Sequence, residues 1–126
     1  MPPPRFDEVD ATTVYSSALL PELGLVNDPL LPFRVYVLQC KPLSVGGEPT
    51  YYVGIEHRSQ IWRRLQSHKG QTETAAHFTK SHKPVQIELV WPAATRAAEA
   101  FVFYALLAKL PSNAVERLGG MSPFIY

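Results

Sequence analysis

A chain of 126 residues is long enough to bury one hydrophobic core and too short for two domains of ordinary size. Its 46% hydrophobic and 18% charged residues are typical of a globular domain, and no apolar run approaches the roughly 20 residues of a membrane-spanning helix. A single cysteine excludes an internal disulfide and a multi-cysteine metal site. The N-terminus has no apolar segment typical of a secretory signal, so the sequence predicts a cytoplasmic protein that does not enter a membrane.

Residues 1–32 hold six of the twelve prolines and read as an extension that packs on the core. Within it, residues 10–20 are predicted to form a short helix. Asp10 is a suitable N-cap for that helix, and Pro21 would end it.

The first predicted strand covers residues 33–39, which are rich in β-branched and aromatic side chains. A loop with prolines and glycines follows, and residues 51–55 form a second strand of the same character. The two strands predict an antiparallel hairpin.

A helix is predicted next, over residues 59–68, with Ser59 as its cap. Ile61, Trp62 and Leu65 form its apolar stripe, and Gly70 is a suitable stop. A further short helix is predicted within residues 72–79.

Residues 85–91 alternate strictly, which places Val85, Ile87, Leu89 and Trp91 on one face of a third strand and leaves Glu88 on the polar face. Residues 95–110 have helical apolar spacing and end before a proline, while residues 111–126 read as a tail. The predicted fold is therefore α+β, with a small three-stranded, mainly antiparallel sheet flanked by helices.

Positive charge is concentrated in the middle of a chain whose net charge is only +1. Against Glu56 and Glu73, this segment carries six basic residues and all four histidines; the basic residues are Arg58, Arg63, Arg64, Lys69, Lys80 and Lys83. Such a segment suits a surface that faces a polyanion, and the alternative is an ordinary solvated helix face.

Several short motifs occur in a characteristic order. They are Val35-Tyr36-Val37 and Tyr52-Val53-Gly54 in the strands, Arg63-Arg64-Leu65-Gln66-Ser67-His68 in the helix, then Gly70, Thr79-Lys80 and Pro84-Val85, and finally Thr95-Arg96 with Glu99-Ala100. On these motifs, residues 33–110 resemble the GIY-YIG nuclease domain, with Arg34 in place of the first glycine of the family name.

The resemblance implies hydrolysis of a DNA phosphodiester with Mg²⁺ or Mn²⁺ as cofactor. Tyr36 would be the base or its relay, and Tyr52 would help to position it. Arg64 would favour the phenolate and clamp the phosphate, while His68 lies one helical turn further on the same face. The residues expected to bind nucleic acid outside this group are Arg58, Arg63, Lys69, Lys80 and Lys83.

The chain departs from the family at the glutamate that holds the metal. Alignment on the last helix places Phe103 or Tyr104 there, and neither ligates Mg²⁺. Glu99 lies about 140° around the helix from Tyr104 and is expected to face elsewhere, which leaves Glu56 as a weak substitute. The sequence thus predicts no metal ligand and leaves cleavage open.

Two alternatives remain. The first is a non-catalytic nucleic-acid-binding relative that has kept the basic surface. The second is a protein-interaction module that uses the proline-rich extension or self-associates through the apolar tail, residues 121–126.

Overall fold

The computed structural model describes residues 2–20, 23–42, 47–70, 82–110 and 115–117. Its strands are β1 (Tyr15–Ser16), β2 (Phe33–Cys40), β3 (Thr50–His57), β4 (Pro84–Ala93) and β5 (Val115–Arg117), and its helices are α1 (Ile61–Gly70) and α2 (Ala97–Leu107). Short 3₁₀ turns occupy Phe6–Glu8 and Arg58–Gln60. In these ranges no helix has the length and apolar character to cross a membrane. The short helix predicted within residues 72–79, Lys80 and the apolar tail lie outside the described residues.

The sheet confirms the α+β class but has more strands than the three predicted. Its order is β1-β4-β2-β3-β5, and β5 is the only parallel addition among the described strands. β2 and β3 pair along their full length, from Phe33 opposite His57 to Cys40 opposite Thr50, as the hairpin prediction requires. The two further strands come from segments with too few residues for periodicity to reveal them.

The central strand β2 is buried on both faces. Its side chains alternate between two separate apolar clusters, one on each face of the sheet. Tyr36 and Leu38 face α1, whose Leu65 belongs to the same cluster. Val35 and Val37 face α2 through Val102 and Leu106. The sheet is therefore the middle layer between the two helices, and Tyr36 lies on the α1 side.

The strict alternation predicted for β4 is wrong. Ile87 packs on the α1 side with Val90, whereas Leu89 packs on the α2 side, and Val85 is 39% exposed. The reason is a bulge: Val37 pairs with Leu89 and Leu38 with Ile87, so Glu88 is skipped in the register.

Glu88 is buried at this bulge, contrary to the prediction that it lies on a polar face. Its carboxylate accepts hydrogen bonds from Ser17 Oγ at 2.6 Å and Gln86 Nε2 at 2.8 Å. Its backbone carbonyl accepts from Ser17 N at 2.9 Å. The bulge therefore attaches the extension to the outer edge of β4.

The helix predicted for residues 10–20 does not form. Asp10 instead caps a turn, accepting from Thr12 N at 2.8 Å, and the chain then pairs as β1 with β4. Val9 is buried in the α1-side cluster and Leu20 in the α2-side cluster. The extension thus contributes to both faces of the core.

Arg34 is the largest fully buried side chain and attaches the extension to β2. Its guanidinium donates to the carbonyls of Ala11 at 2.8 Å, Pro29 at 2.7 Å, Leu31 at 2.9 Å and Phe33 at 2.9 Å. Hydrogen bonds from a charged donor are stronger than neutral ones. Arg34 is therefore a structural clamp on backbone carbonyls.

Candidate functional site

The side chains of Tyr36, Tyr52 and His68 form a compact group between the sheet and α1. The ring centroids are 5.6 Å apart for Tyr36 and His68, 5.1 Å for Tyr52 and His68, and 6.4 Å for the two tyrosines. Arg64 lies near them, because its positive charge is among the causes that act on the pKa of both phenols. All four residues selected from the motifs thus converge, from three separate elements.

Strand and helix periodicity account for this convergence. Tyr36 and Gly54 are register partners and therefore point to the same face of the sheet. Tyr52, two residues before Gly54, lies on that face as well. Arg64 and His68 are four residues apart on α1 and share a helical face.

The phenol of Tyr36 and Nε2 of His68 are 2.8 Å apart. A phenol both donates and accepts, so the direction of this hydrogen bond follows the tautomer of the imidazole.

Burial sets the protonation states of these groups. It raises the pKa of Tyr36 and of Tyr52 above the ordinary value, and the positive charge of Arg64 offsets only part of that rise. Burial, and then the charge of Arg64, lower the pKa of His68 to about 3. At neutral pH the two phenols and the imidazole are therefore uncharged, and Arg64 does not produce the phenolate expected from the sequence.

The reacting atoms proposed from the motifs are closed to solvent. Tyr36, Tyr52 and His68 each have 0% of their surface exposed, while Arg64 is half-buried. A phosphate can therefore approach Arg64 first, and it reaches the phenols only after the surrounding residues move.

Among the described acidic residues, Glu99 has an electrostatic effect on both phenols. Glu99 is fully buried on α2, whereas Tyr104 is 47% exposed and Phe103 packs with the α2-side cluster. After burial, the charge of Glu99 is among the causes that raise the pKa of both phenols. Glu99 and Tyr104 face different directions, as the helical spacing predicted.

Glu56 also influences Tyr36, since after burial its charge raises the pKa of that phenol. Its carboxylate accepts a hydrogen bond from His57 N at 2.9 Å. Within the described ranges, no three His, Cys, Asp or Glu side chains group closely enough to hold a metal ion.

The basic residues expected to bind nucleic acid differ in their local contacts. Arg58 donates to the carbonyl of Leu30 at 3.1 Å, and Lys69 donates to the carbonyl of Pro84 at 3.3 Å. Lys69 also lies 5.2 Å from the centroid of the Phe6 ring. Arg63 and Lys83 are exposed, whereas Lys80 is outside the described residues.

Trp62 does not belong to the buried stripe predicted for α1. It is 51% exposed, and its indole donates to the carbonyl of Asp7 at 3.3 Å. Gln66 also donates to a backbone carbonyl of the extension, that of Phe6. This side of α1 therefore holds the extension, while Arg64 and His68 project towards the site.

Sequence reasoning assigned no packing role to Gly54 and discarded Glu99. A Cβ atom on Gly54 would collide with the ring of Tyr36, so this position requires glycine. The motif Tyr52-Val53-Gly54 marks this glycine in the sequence, but the motif alone does not identify Tyr36 as the side chain that needs the space. The burial of Glu99 could have been predicted from its position. It lies three residues before the apolar Val102, on the same face of a helix with little other charge.

No protein-family model matches the chain, and neither does any curated protein or solved structure.

Proposed function

We propose that the protein is a GIY-YIG-type nuclease relative that binds DNA and acts on its phosphodiester backbone at the group formed by Tyr36, Tyr52, Arg64 and His68. The observation that carries the proposal is the 2.8 Å contact between the Tyr36 phenol and His68 Nε2, close enough to Arg64 for its positive charge to act on both phenols and on the imidazole. A guanidinium beside polarised phenols is suited to an anionic oxygen.

The half-buried Arg64 is the group that would meet the phosphate. Its fork-shaped donor set matches two phosphate oxygens, and it would stabilise the charge that develops on them. The phenol of Tyr36 could accept a proton from the attacking water only by giving its own to His68 Nε2. Burial and the charge of Arg64 lower the pKa of His68 to about 3, so this transfer would require the bound phosphate first to offset the charge of Arg64.

Mg²⁺ or Mn²⁺ is the cofactor that the resemblance implies, and the described residues could supply only few protein ligands for it. Phosphate-processing sites hold Mg²⁺ with one or two carboxylates together with substrate oxygens. Glu99 is the carboxylate that would hold the ion, since it is buried and its charge reaches both phenols. When bound, the ion would supply charge neutralisation at the phosphate.

A specific observation favours a second candidate, a nucleic-acid-binding relative without turnover. Tyr36, Tyr52 and His68 are wholly buried, so binding at Arg64 does not require them to contact the phosphate. This candidate predicts salt-dependent DNA binding without cleavage.

The test is a nicking assay on plasmid and branched DNA with Mg²⁺ or Mn²⁺, paired with a binding assay on the same DNA. For an active enzyme, Arg64→Ala is expected to lower the cleavage rate by about 10²-fold or more. Arg64→Lys, which keeps a point charge, should retain part of that rate. Lys41→Ala removes an exposed charge beyond the far end of β2 and serves as the matched control.

The outcomes separate the candidates. Cleavage by the unmodified protein that is lost in Arg64→Ala supports the nuclease. Binding without cleavage, weakened by Arg64→Ala, supports the second candidate. Absence of both activities, or Arg64→Ala behaving as the unmodified protein does, overturns the assignment of the site.

A further inference from the structure

The face of α2 that points away from the sheet is apolar along its whole length. The exposed residues of the helix and its C-cap are Ala97, Phe101, Tyr104 and Ala108. At 100° per residue they lie within about 60° of one another, so they form one stripe along the helix, here called the outer stripe. Phe101 and Tyr104 are 52% and 47% exposed. The one charged residue between the two ends of the stripe is Glu99, and its side chain is buried.

This composition is unusual for a helix face in contact with solvent. A surface helix normally carries polar or charged side chains on its outer face, and a helix that is apolar all round is typical of a buried position. α2 already packs on the sheet through Val102 and Leu106. The outer stripe therefore has the composition of a second packing face, which the described residues leave open to solvent.

The apolar surface continues from α2 onto the N-terminal extension. Val26 is 69% exposed and, together with Ala97 and Phe101, lines a cavity of about 420 Å³ between the extension and the start of α2. Thr95 is the one polar side chain among the residues that line this cavity. Contiguous apolar patches on a protein surface commonly mark an interaction site.

The outer stripe reads the same from either end. Its spacings are four, three and four residues, with an alanine at each end and an aromatic residue at each inner position. Two antiparallel helices related by a twofold axis bring together residues that lie at equal distances on either side of that axis. With the axis beside the middle of the stripe, Phe101 meets the partner's Tyr104, and Ala97 meets the partner's Ala108.

We infer that the outer stripe of α2 is the interface of a symmetric, antiparallel dimer of this chain; this inference does not depend on the proposed function. The aromatic residues pack at the centre of the interface, where aromatic anchors are most effective. The alanines at both ends leave room for the helix axes to approach to about 8–10 Å. Because α1 lies on the opposite face of the sheet, the group at Arg64 stays uncovered in the dimer.

The charges at the ends of α2 do not oppose this pairing, because both are turned away from the outer stripe. The guanidinium carbon of Arg96 lies 5.0 Å from the centroid of the Phe33 ring, on β2. The ammonium of Lys109 donates to the carbonyl of Leu19 at 3.0 Å, on the extension. Two stripes therefore meet without bringing like charges together at their centre.

The area of the patch indicates a reversible dimer. The exposed parts of Phe101, Tyr104 and Val26 amount to roughly 300 Å² in each copy. Apolar atoms make up somewhat more than half of a typical interface, so two copies would bury about 1,000 Å² in total. This is the lower end of the range for specific interfaces, and we expect a dissociation constant in the micromolar range.

Sedimentation velocity of the full chain between about 1 and 500 µM measures this equilibrium. Phe101→Asp removes a central aromatic ring and adds a charge, so it should raise the dissociation constant by about 30-fold or more. Val85→Asp is the matched control. It adds the same charge at a residue that is 39% exposed, but Val85 lies beside Gln66 of α1, and the dissociation constant should not change.

Cysteine cross-linking tests the antiparallel register. Positions 97 and 108 of different copies face each other, whereas the two copies of position 97 lie about 16 Å apart, beyond the roughly 7 Å that a disulfide spans. A chain with both Ala97→Cys and Ala108→Cys should form a covalent dimer under mild oxidation, and Ala97→Cys alone should not. Cys40 is buried and does not contribute.

Each outcome decides the inference. A chain that stays monomeric over the whole concentration range overturns it, and the stripe would then be left for a different partner. A dimer that Phe101→Asp leaves unchanged also overturns it, because another surface, such as the apolar tail, must then hold the copies together. Cross-linking through Ala97→Cys alone contradicts the antiparallel register. If thermal unfolding shows that Phe101→Asp is not folded, the cross-linking of the two alanine positions decides.

Discussion

Gly54 lies directly beneath the aromatic ring of Tyr36, its register partner on β2. A Cβ atom built on Gly54 would stand within 2.7 Å of Tyr36 Cε2 and closer still to two other atoms of that phenol. The close approach places the phenol oxygen within hydrogen-bonding distance of His68. One missing methyl group thus sets the geometry of the site.

Gly54→Ala is therefore expected to displace the Tyr36 ring and to lower the free energy of unfolding by about 1–3 kcal/mol, a typical cost of overpacking. Urea denaturation measures the change. Gly24→Asn is the control, because Gly24 has a positive φ of 70° with open space around it, and asparagine tolerates that conformation. Equal loss in both variants would show that the ring contact is not the cause.

Arg34→Met should destabilise the protein by about 3 kcal/mol or more, because it leaves buried carbonyls without their charged donor while keeping much of the side-chain volume. Limited proteolysis should then cut the extension faster. Arg5→Met removes an exposed arginine that pairs with Asp7 at 3.2 Å, and it should have little effect. Unchanged proteolysis in Arg34→Met would contradict the clamp.

The lowered pKa of His68 predicts a pH dependence of stability. The unfolded chain binds a proton at His68 below about pH 6.5 while the folded chain does not until about pH 3, so the free energy of unfolding decreases as pH falls through this window. Between pH 7 and pH 5 the loss is about 2 kcal/mol.

Urea unfolding at the two pH values measures this loss in the unmodified protein and in His68→Gln. The glutamine does not titrate but still offers an acceptor to Tyr36, so its variant should lose about 2 kcal/mol less over the same interval. His57→Gln retains His68 and should keep the full dependence. An equal dependence in all three proteins would refute the buried neutral imidazole.

Cys40 should be inert in the folded protein. It is 1% exposed, and burial raises the pKa of its thiol to about 12. Since the thiolate is the reactive species, alkylation at pH 8 should be at least about 10²-fold slower in buffer than in concentrated urea. The sequence contains one cysteine, so the whole signal reports this position. Equal rates in the two solvents would contradict the buried site.

Strong local patterns predicted the central part of the fold. The β-branched and aromatic runs predicted β2 and β3, and the hairpin register places Tyr36 opposite Gly54. The spacing of Arg64 and His68 predicted their common face on α1. These features follow from the two-residue repeat of a strand and the 3.6-residue repeat of a helix, and both repeats can be recognised in the sequence alone.

Other features depend on partners that are distant in the sequence. Glu88 interrupts the alternation of β4 because Ser17, 71 positions earlier, binds its carboxylate. Tyr15 joins a strand instead of a helix because the edge of β4 is available to pair with it. The protonation of Tyr36 follows from complete burial, which no local motif reports.

The attachment of residues 15–17 to β4 also has a consequence outside the folded monomer. An open strand edge pairs readily with a second copy of the same chain, which is a common origin of aggregation. Along β4 this edge is occupied by Tyr15, Ser16 and Ser17, from Glu88 to Val90. Removing the extension would therefore expose a hydrogen-bonding edge, and the truncated protein would have a route to intermolecular sheets that the intact chain closes.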